Sequence, residues 1–351
     1  MAAIKLEKFF CHNSKCKMHG KFSVGHITNH GFYATSSGRR RRLICKICKT
    51  TFSTTKGSAY YRIQKPKQTF DSVIQTSVEG TTQSSNSRIN RVSRSTVSRW
   101  LLKATNKASQ YMSVNLKEYS IDEVQADEIR TFVGNKSNEQ WIFAILEVGS
   151  RLWGNFKIGK RTFQNTLDLF DEFRLSAASL GSKRILFTTD GFNLYKSAVY
   201  RSFGFLPIYA QVIKAIRKNR VVKVEEKLIY GTKEQLQRAL ENSPGSSKIN
   251  TSYIERLNLT IRQSLAQLSR KSLARSRCQL CLNEQLTIFQ CYYNFVRSHS
   301  SLKMGNINKT PAMEAGIAKR RITFREIFSV VADYFCNIFK IRLRLFILYS
   351  W

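Results

Sequence analysis

The sequence predicts an α/β domain preceded by two small N-terminal modules, and three patterns predict it. Two cysteine pairs lie within the first fifty residues. Apolar residues then recur at helical spacing to about residue 110. From residue 119 the spacing changes to period-two runs, then a helical stretch, then a short apolar strand ending in an acid.

At 351 residues the chain exceeds one average domain. Its 42% hydrophobic and 12% aromatic content supports packed cores, which excludes a disordered polycation. Lys and Arg number 58 against 23 Asp and Glu, a formal net charge of +35. Such an imbalance implies a polyanionic partner, nucleic acid first, because neutralising phosphates releases counterions. A ribosome-associated protein would share this charge, so charge alone names no activity. No apolar core follows MAAIKLEKFF, so no signal peptide is expected. The eight cysteines are accordingly expected in the cytoplasm, reduced or metal-bound rather than paired.

Residues 1–62 carry Cys11 and Cys16 as one knuckle and Cys45 and Cys48 as a tighter one. Four thiolates can close a tetrahedral zinc site, and so small a segment needs such a staple. A zinc ribbon with structural Zn²⁺ is expected, with His12 or His19 as the alternative to one cysteine. Arg39 to Arg42 either form a solvated loop or touch phosphate.

Residues 63–115 fit a helix-turn-helix domain. One helix is expected near Gln68–Ser77, broken by Glu79-Gly80, and a second near Gln83–Asn90. After a turn at Arg91-Val92-Ser93, the residues Val97, Trp100 and Leu101 form the apolar stripe of a third helix. Arg94, Ser95, Ser98 and Arg99 stay exposed near its start, where a recognition helix reaches base edges and phosphates. An amphipathic helix with a merely solvated face is the alternative. Residues 1–118 hold 22 Lys and Arg against 4 Asp and Glu, a net +18, which favours a DNA-binding arm.

In residues 119–302, the strand Ser120–Val133 sets Asp127, Ile129, Thr131 and Val133 on one face. Gln140–Glu147 and Leu152–Ile158 read as a hairpin through Gly149-Ser150-Arg151. Thr162–Leu180 reads as a helix with Phe163, Leu167, Phe170 and Phe173 inward, and Lys183–Asp190 as the next strand. Three strands, a helix and a strand is the order of an RNase H-like core. The stretch after Asp190 includes basic Lys214–Lys223 and a helical Lys233–Leu240, and either delivers DNA or is a structural insertion. A loop at Pro244–Ser247 precedes the helix that starts near Tyr253, with Thr251 and Ser252 as candidate N-caps. Ile254, Leu257, Ile261, Leu265 and Leu268 form its buried stripe, and Glu255, Asn258 and Arg262 share a flank. A strand-borne Asp127, a strand-end Asp190 and a helix-borne Glu255 are the parts needed to hold two divalent cations, Mg²⁺ or Mn²⁺. Glu128 and Asp122 are the alternatives to Asp127, although Glu128 points to the opposite strand face.

The segments QADEIRTFVG, FTTDGFNLY and INTSYIERLNLTIRQ, followed by LSRKS and YYNFVRSHSSLK, resemble the DDE transposases of short bacterial insertion sequences. The likeness is closest to the group with an N-terminal zinc ribbon and helix-turn-helix. It covers roughly residues 10 to 325, and the phrase around Glu255 is its most specific part. The resemblance implies an RNase H-like catalytic core with Asp127, Asp190 and Glu255 as the metal-binding triad. It implies Arg262 at a DNA phosphate and Asn258 positioning phosphate or the helix. It further implies double-stranded DNA as partner (terminal inverted repeats and target), end cleavage with strand transfer, and at least a dimer on DNA. A repressor that binds the ends without cutting, an inactive copy and a structure-specific nuclease are the alternative readings.

Asn294 and His299 either orient DNA or pack the helix, and Ser298 stands where that family usually has Pro. Cys278 and Cys281 form a CxxC that is expected on a packed helix with Leu280, Leu282, Leu286 and Phe289, not at zinc. Residues 303–351 are expected to be a tail that departs from the family's usual terminus. Its stretch 327–351 is apolar but interrupted by Asp333, Lys340, Arg342 and Arg344, which argues against a membrane span.

Overall fold

The computed structural model describes residues 4–331 apart from 23, 37, 177–183, 219, 244 and 246. The chain divides into two units. Among the described residues, one comprises those up to Gln75, Ser87–Val114 and those from Phe324 to Val331; the other comprises Thr76–Asn86 and Asn115–Thr323.

The smaller unit starts with an antiparallel sheet of β1 (Ile27–Tyr33), β2 (Arg40–Cys45) and β3 (Thr51–Ser53) in that order. This sheet buries little: Ile27, Leu43 and Phe52 pack around the thiols of Cys11, Cys16 and Cys45. Arg40 to Arg42 of the arginine run are strand rather than loop, and Arg39 directly precedes the strand. Arg39 and Arg41 lie over the Phe32 ring at 5.3 and 5.1 Å, and Arg42 lies over Tyr33 at 4.9 Å. Cation–π contact with cross-strand aromatics, which sequence spacing does not reveal, holds them there.

Three helices follow: α1 (Lys67–Ser77), α2 (Gln83–Ile89) and α3 (Arg94–Asn115). The turn between α1 and α2 belongs to the larger unit: there Gly80, at φ 80°, donates to the Ser264 carbonyl of the same unit at 2.7 Å, and a Cβ on it would stand 3.0 Å from the Gln263 oxygen. Ser93 caps α3 by accepting from Thr96 N at 3.2 Å. The stripe of Val97, Trp100 and Leu101 runs on through Ala104, Ala108 and Met112, so α3 spans 22 residues. Trp100 and Phe70 stand 5.3 Å apart, and the short helix Phe324–Ser329 adds Phe328 at 5.5 Å from Phe70. Arg325 and Tyr60 both bond Asp71. Thus a segment within the stretch read as a tail, residues 303–351, completes this core. Residues 332–351, with the four charged positions that interrupt them, lie outside the described residues. Among the described residues no helix is long and apolar enough to cross a membrane.

The larger unit is a mixed α/β structure. In chain order it contains β4 (Glu123–Phe132), β5 (Glu139–Glu147), β6 (Trp153–Gly159), α4 (Phe163–Ser176), β7 (Leu186–Asp190) and α5 (Asn193–Phe203). There follow β8 (Ile208–Arg217), β9 (Arg220–Tyr230), α6 (Lys233–Asn242), α7 (Ser252–Ser264) and α8 (Gln279–Cys291). The strands form one six-stranded sheet in the order β6-β5-β4-β7-β8-β9. β4–β7 and β7–β8 are parallel, and the other pairs are antiparallel. Cross-strand neighbours Glu128, Phe143 and Lys157 share a face, and Lys157 reaches Asp168 and Glu172 of α4. Asp127 alternates to the other face, where Asn258 of α7 meets it. Helices therefore cover both faces of the sheet.

Several local expectations change. In α4 the inward residues are Thr166, Leu169, Phe170 and Phe173; Phe163 is exposed because it opens the helix, and residues 177–180 lie outside the described ones. Cys278 and Cys281 form a disulfide: they straddle the start of α8 with Cα atoms 5.3 Å apart, within disulfide reach. That placement also leaves Leu280, in the first turn, exposed. Asn294 is a packing residue, joined to both backbone polar atoms of Trp153 at 3.0 and 2.9 Å. His299 is half-buried against Tyr293, and burial lowers its pKa to about 4.

The start of α7 is the contact that aligns the two elements of interest. Neither Thr251 nor Ser252 caps it through its side chain onto the helix; the buried Gln125 of β4 does, accepting from Tyr253 N at 3.0 Å and Ile254 N at 3.1 Å. A long-range cap of this kind leaves no local sequence signature. Gln125→Leu strands both amides in a dry environment and is expected to destabilise the protein by roughly 2–4 kcal/mol. Urea denaturation followed by circular dichroism measures it, and a loss under 0.5 kcal/mol, order of magnitude, would contradict the assignment.

Candidate functional site

Two features of the sheet bring acids together. The parallel register pairs Ala126 with Thr189, so Asp127 and Asp190 come next on adjoining strands. β7 ends at Asp190, so no further residue of it separates the faces there. The carboxylates of Asp127, Glu128 and Asp190 consequently lie within 4.8 Å of one another. Strand alternation does send Glu128 to the α5 side, where Arg161 and the Tyr195 hydroxyl (2.8 Å) hold it. Its length and the open strand end still bring it into the group, which alternation alone argues against.

Asp127 accepts from Asn258 Nδ2 at 2.9 Å, and Asp190 accepts from Phe192 N at 3.1 Å. Burial raises the Asp127 pKa to about 7, with the Asp190 and Glu255 charges adding to it. Burial, then the Asp190 charge, raises Glu128 to about 7 against the pull of Arg161. Asp190 is raised too, again mainly by burial. Three carboxylates that resist ionising together are a suitable oxygen donor set for a divalent cation. Asn258 Oδ1, buried without a hydrogen-bond partner among the described residues, adds one more oxygen acceptor.

Glu255 approaches the group without joining it. Its charge is felt by Asp127 and Asp190, but its carboxylate pairs with Lys214 of β8 and accepts from Thr251 Oγ1 at 2.8 Å. Asp122 is not part of the group. Arg262 is half-buried, and its guanidinium donates to the carbonyls of Leu268 (3.3 Å) and Arg130 (3.2 Å). That ties α7 to β4, a role that the flank pattern does not disclose.

The second cluster is sulfur. Sγ atoms of Cys11 and Cys48 stand 3.4 Å apart and those of Cys16 and Cys45 4.0 Å apart, all four within 4.8 Å. Tetrahedral zinc with bonds of about 2.3 Å requires sulfurs about 3.8 Å apart, so the set fits Zn²⁺. Neither His12 nor His19 enters it; His12 packs on Phe10 and Phe52 at 4.2 and 5.0 Å. Hydrogen bonds from Thr50 lower the Cys48 pKa to about 6, whereas burial raises Cys11 to about 12.

Arg94, Ser95, Ser98 and Arg99 are all exposed at the start of α3. Ser98 Oγ bonds back to the Arg94 carbonyl at 3.2 Å, and Arg99 reaches Thr96 Oγ1 at 3.3 Å. Beside them opens a cleft of about 930 Å³ ringed by Arg62, Lys65, Arg91, Arg99 and Lys103. Arg62 and Lys65 had no motif to mark them; Arg62 and Arg91 hold positive φ, 59° and 50°, in the segments that border the cleft.

No protein-family model matches the chain, and no curated protein matches it. The chemistry of the two clusters and of the basic cleft therefore carries the functional reading.

Three outcomes are expected. Asp127 and Glu128 are ordinarily acids of pKa 3.8 and 4.5, raised to about 7 in the fold. The folded state thus binds extra protons between these values, and metal-free stability falls as pH rises from about 4 to 7, then levels. A divalent cation competes with those protons, so Mn²⁺ should raise Tm more at pH 8 than at pH 5, and Asp190→Asn should remove the gain. Differential scanning calorimetry checks both; equal gains at the two pH values would refute the site. Atomic absorption should find one zinc per chain, with Cys45→Ser lowering it to less than half; zinc-free wild type would dismiss the cysteine site.

Proposed function

We propose that the protein is a DDE-type transposase with an RNase H-like catalytic unit and a zinc-ribbon/helix-turn-helix DNA-binding unit. The observation that carries this reading is the meeting of Asp127 and Asp190 on adjacent parallel strands, with the Glu255 helix capped onto the same strand by Gln125. The strand order β6-β5-β4-β7-β8, with helices on both faces, fits an RNase H-like sheet extended by β9. The four cysteines, the exposed Arg94, Ser95, Ser98 and Arg99, and the basic cleft supply what DNA binding needs.

Bound Mg²⁺ or Mn²⁺ would supply an activated oxygen nucleophile and stabilise the leaving oxygen of a phosphodiester. Asp127 and Asp190 would hold the metal, with Asn258 orienting Asp127. Glu255 would complete the triad once DNA phosphate draws Lys214 away from it. Terminal inverted repeats and target DNA are the duplex substrates, and joining two ends calls for at least a dimer.

Lys214 holding Glu255 outside the acid group favours a second reading: a protein that binds the element's ends without cutting. One experiment separates the two. A labelled duplex carrying the flanking terminal repeat is incubated with Mg²⁺, Mn²⁺ or EDTA. Metal-dependent nicking at the element's end and strand transfer are expected, and Asp190→Ala and Glu255→Ala should each reduce them at least about 100-fold with binding retained. Sequence-specific binding without cleavage would leave the non-cutting reading in its place.

A further inference from the structure

We propose that β8 and β9 form a basic two-stranded arm that lies in a groove of duplex DNA beside the acid site, an inference that rests on DNA being the substrate. Pairing with β7 stops at Asp190 opposite Val212. Beyond it Lys214 faces Val224, Ala215 faces Lys223 and Arg217 faces Arg220, with no third strand beside them among the described residues. The five residues from Ile213 to Arg217 carry the ribbon about 16 Å past the end of β7. A two-stranded ribbon of that kind is one of the elements that a B-DNA major groove, about 12 Å wide, admits.

The chemistry of the arm selects the partner. From Lys214 to Val224 the sequence carries five cations (Lys214, Arg217, Lys218, Arg220 and Lys223) and no acid. Arg217 and Arg220 are placed directly across the ribbon from each other, an arrangement that costs stability unless an anion lies between or beside them. Neither they nor Lys218 makes an ion pair with any described residue, and Lys218 holds φ 46° at the tip. Val221, Val222 and Val224 are more than half exposed among these cations. Phosphates satisfy the charges, and valine methyls suit thymine methyls and sugar edges. The base of the arm is tied to the acid site through Lys214 and Glu255, so a duplex on the arm lies next to those carboxylates.

A second copy of the chain could instead pair with the open edge of β9. The register shift at Ala215/Ile216 and the charges of Arg220, Lys223 and Lys227 disfavour such edge pairing.

The test compares the full-length chain with the triple variant Arg217→Ala, Arg220→Ala, Lys223→Ala. Fluorescence anisotropy reads binding to a terminal-repeat duplex and to a scrambled duplex across a KCl series, with Tm and sedimentation measured alongside. The variant should bind both duplexes about tenfold or more weakly, with a salt slope shallower by about 2 to 3, at a Tm no lower than wild type and an unchanged oligomeric state. An unchanged slope and affinity overturns the arm while leaving the DNA reading intact. Loss of the dimer with the slope unchanged assigns β9 to a subunit edge and overturns the arm as well. Wild type that binds neither duplex overturns the DNA reading and the arm together.

Discussion

The parallel pairing of β4 with β7, locked to α7 by the side chain of Gln125, is the constraint on which the larger unit depends. Pairing alone sets Asp127 beside Asp190. The cap then fixes where the helix bearing Glu255, Asn258 and Arg262 begins. Arg262 repeats the tie one helical stretch later, on the Arg130 and Leu268 carbonyls. Two polar clamps, one at each end of α7, hold an otherwise apolar interface of Ile254, Leu257 and Ile261 in a single register. Hydrophobic contact is non-directional and would tolerate sliding, whereas these hydrogen bonds do not.

Burying several acids together in a protein of net charge +35 is costly unless cations attend them. Here Arg161 pairs with the buried side chain of Glu128, Lys214 pairs with the exposed Glu255, and the charges of both cations also act on Asp190. Asp127, Glu128 and Asp190 together remain a suitable oxygen donor set for a divalent cation. Lys214 occupies the same strand as the exposed basic ribbon, so the charge that restrains Glu255 and the charges offered to a polyanion belong to one element.

The smaller unit meets a different shortage. Its three-stranded sheet leaves most of β1 exposed and encloses chiefly sulfur and a few apolar side chains. Four converging thiols compensate for that thin core. The helical part instead builds on aromatics: Tyr60, Phe70 and Trp100 with Phe328 supplied from more than two hundred residues away.

Patterns of short range were legible in the sequence. CxxC spacing, period-two strands, the 3.6-residue stripe of α3 and the acid ending β7 depend on neighbours within a few residues, and each appears where its pattern placed it. Such signals bring Asp127, Asp190 and the four cysteines into view. Only the tertiary structure decided the rest. Glu128 joins the acid group because β7 stops at Asp190, the cap of α7 comes from a strand 128 residues earlier, and Cys278 pairs with Cys281 across a helix start. Likewise, Lys214–Lys223 proved to be a strand pair and Lys214 the partner of Glu255. Sequence periodicity records which way a side chain leaves its own element; it does not record where a neighbouring strand ends or which distant polar group completes a helix.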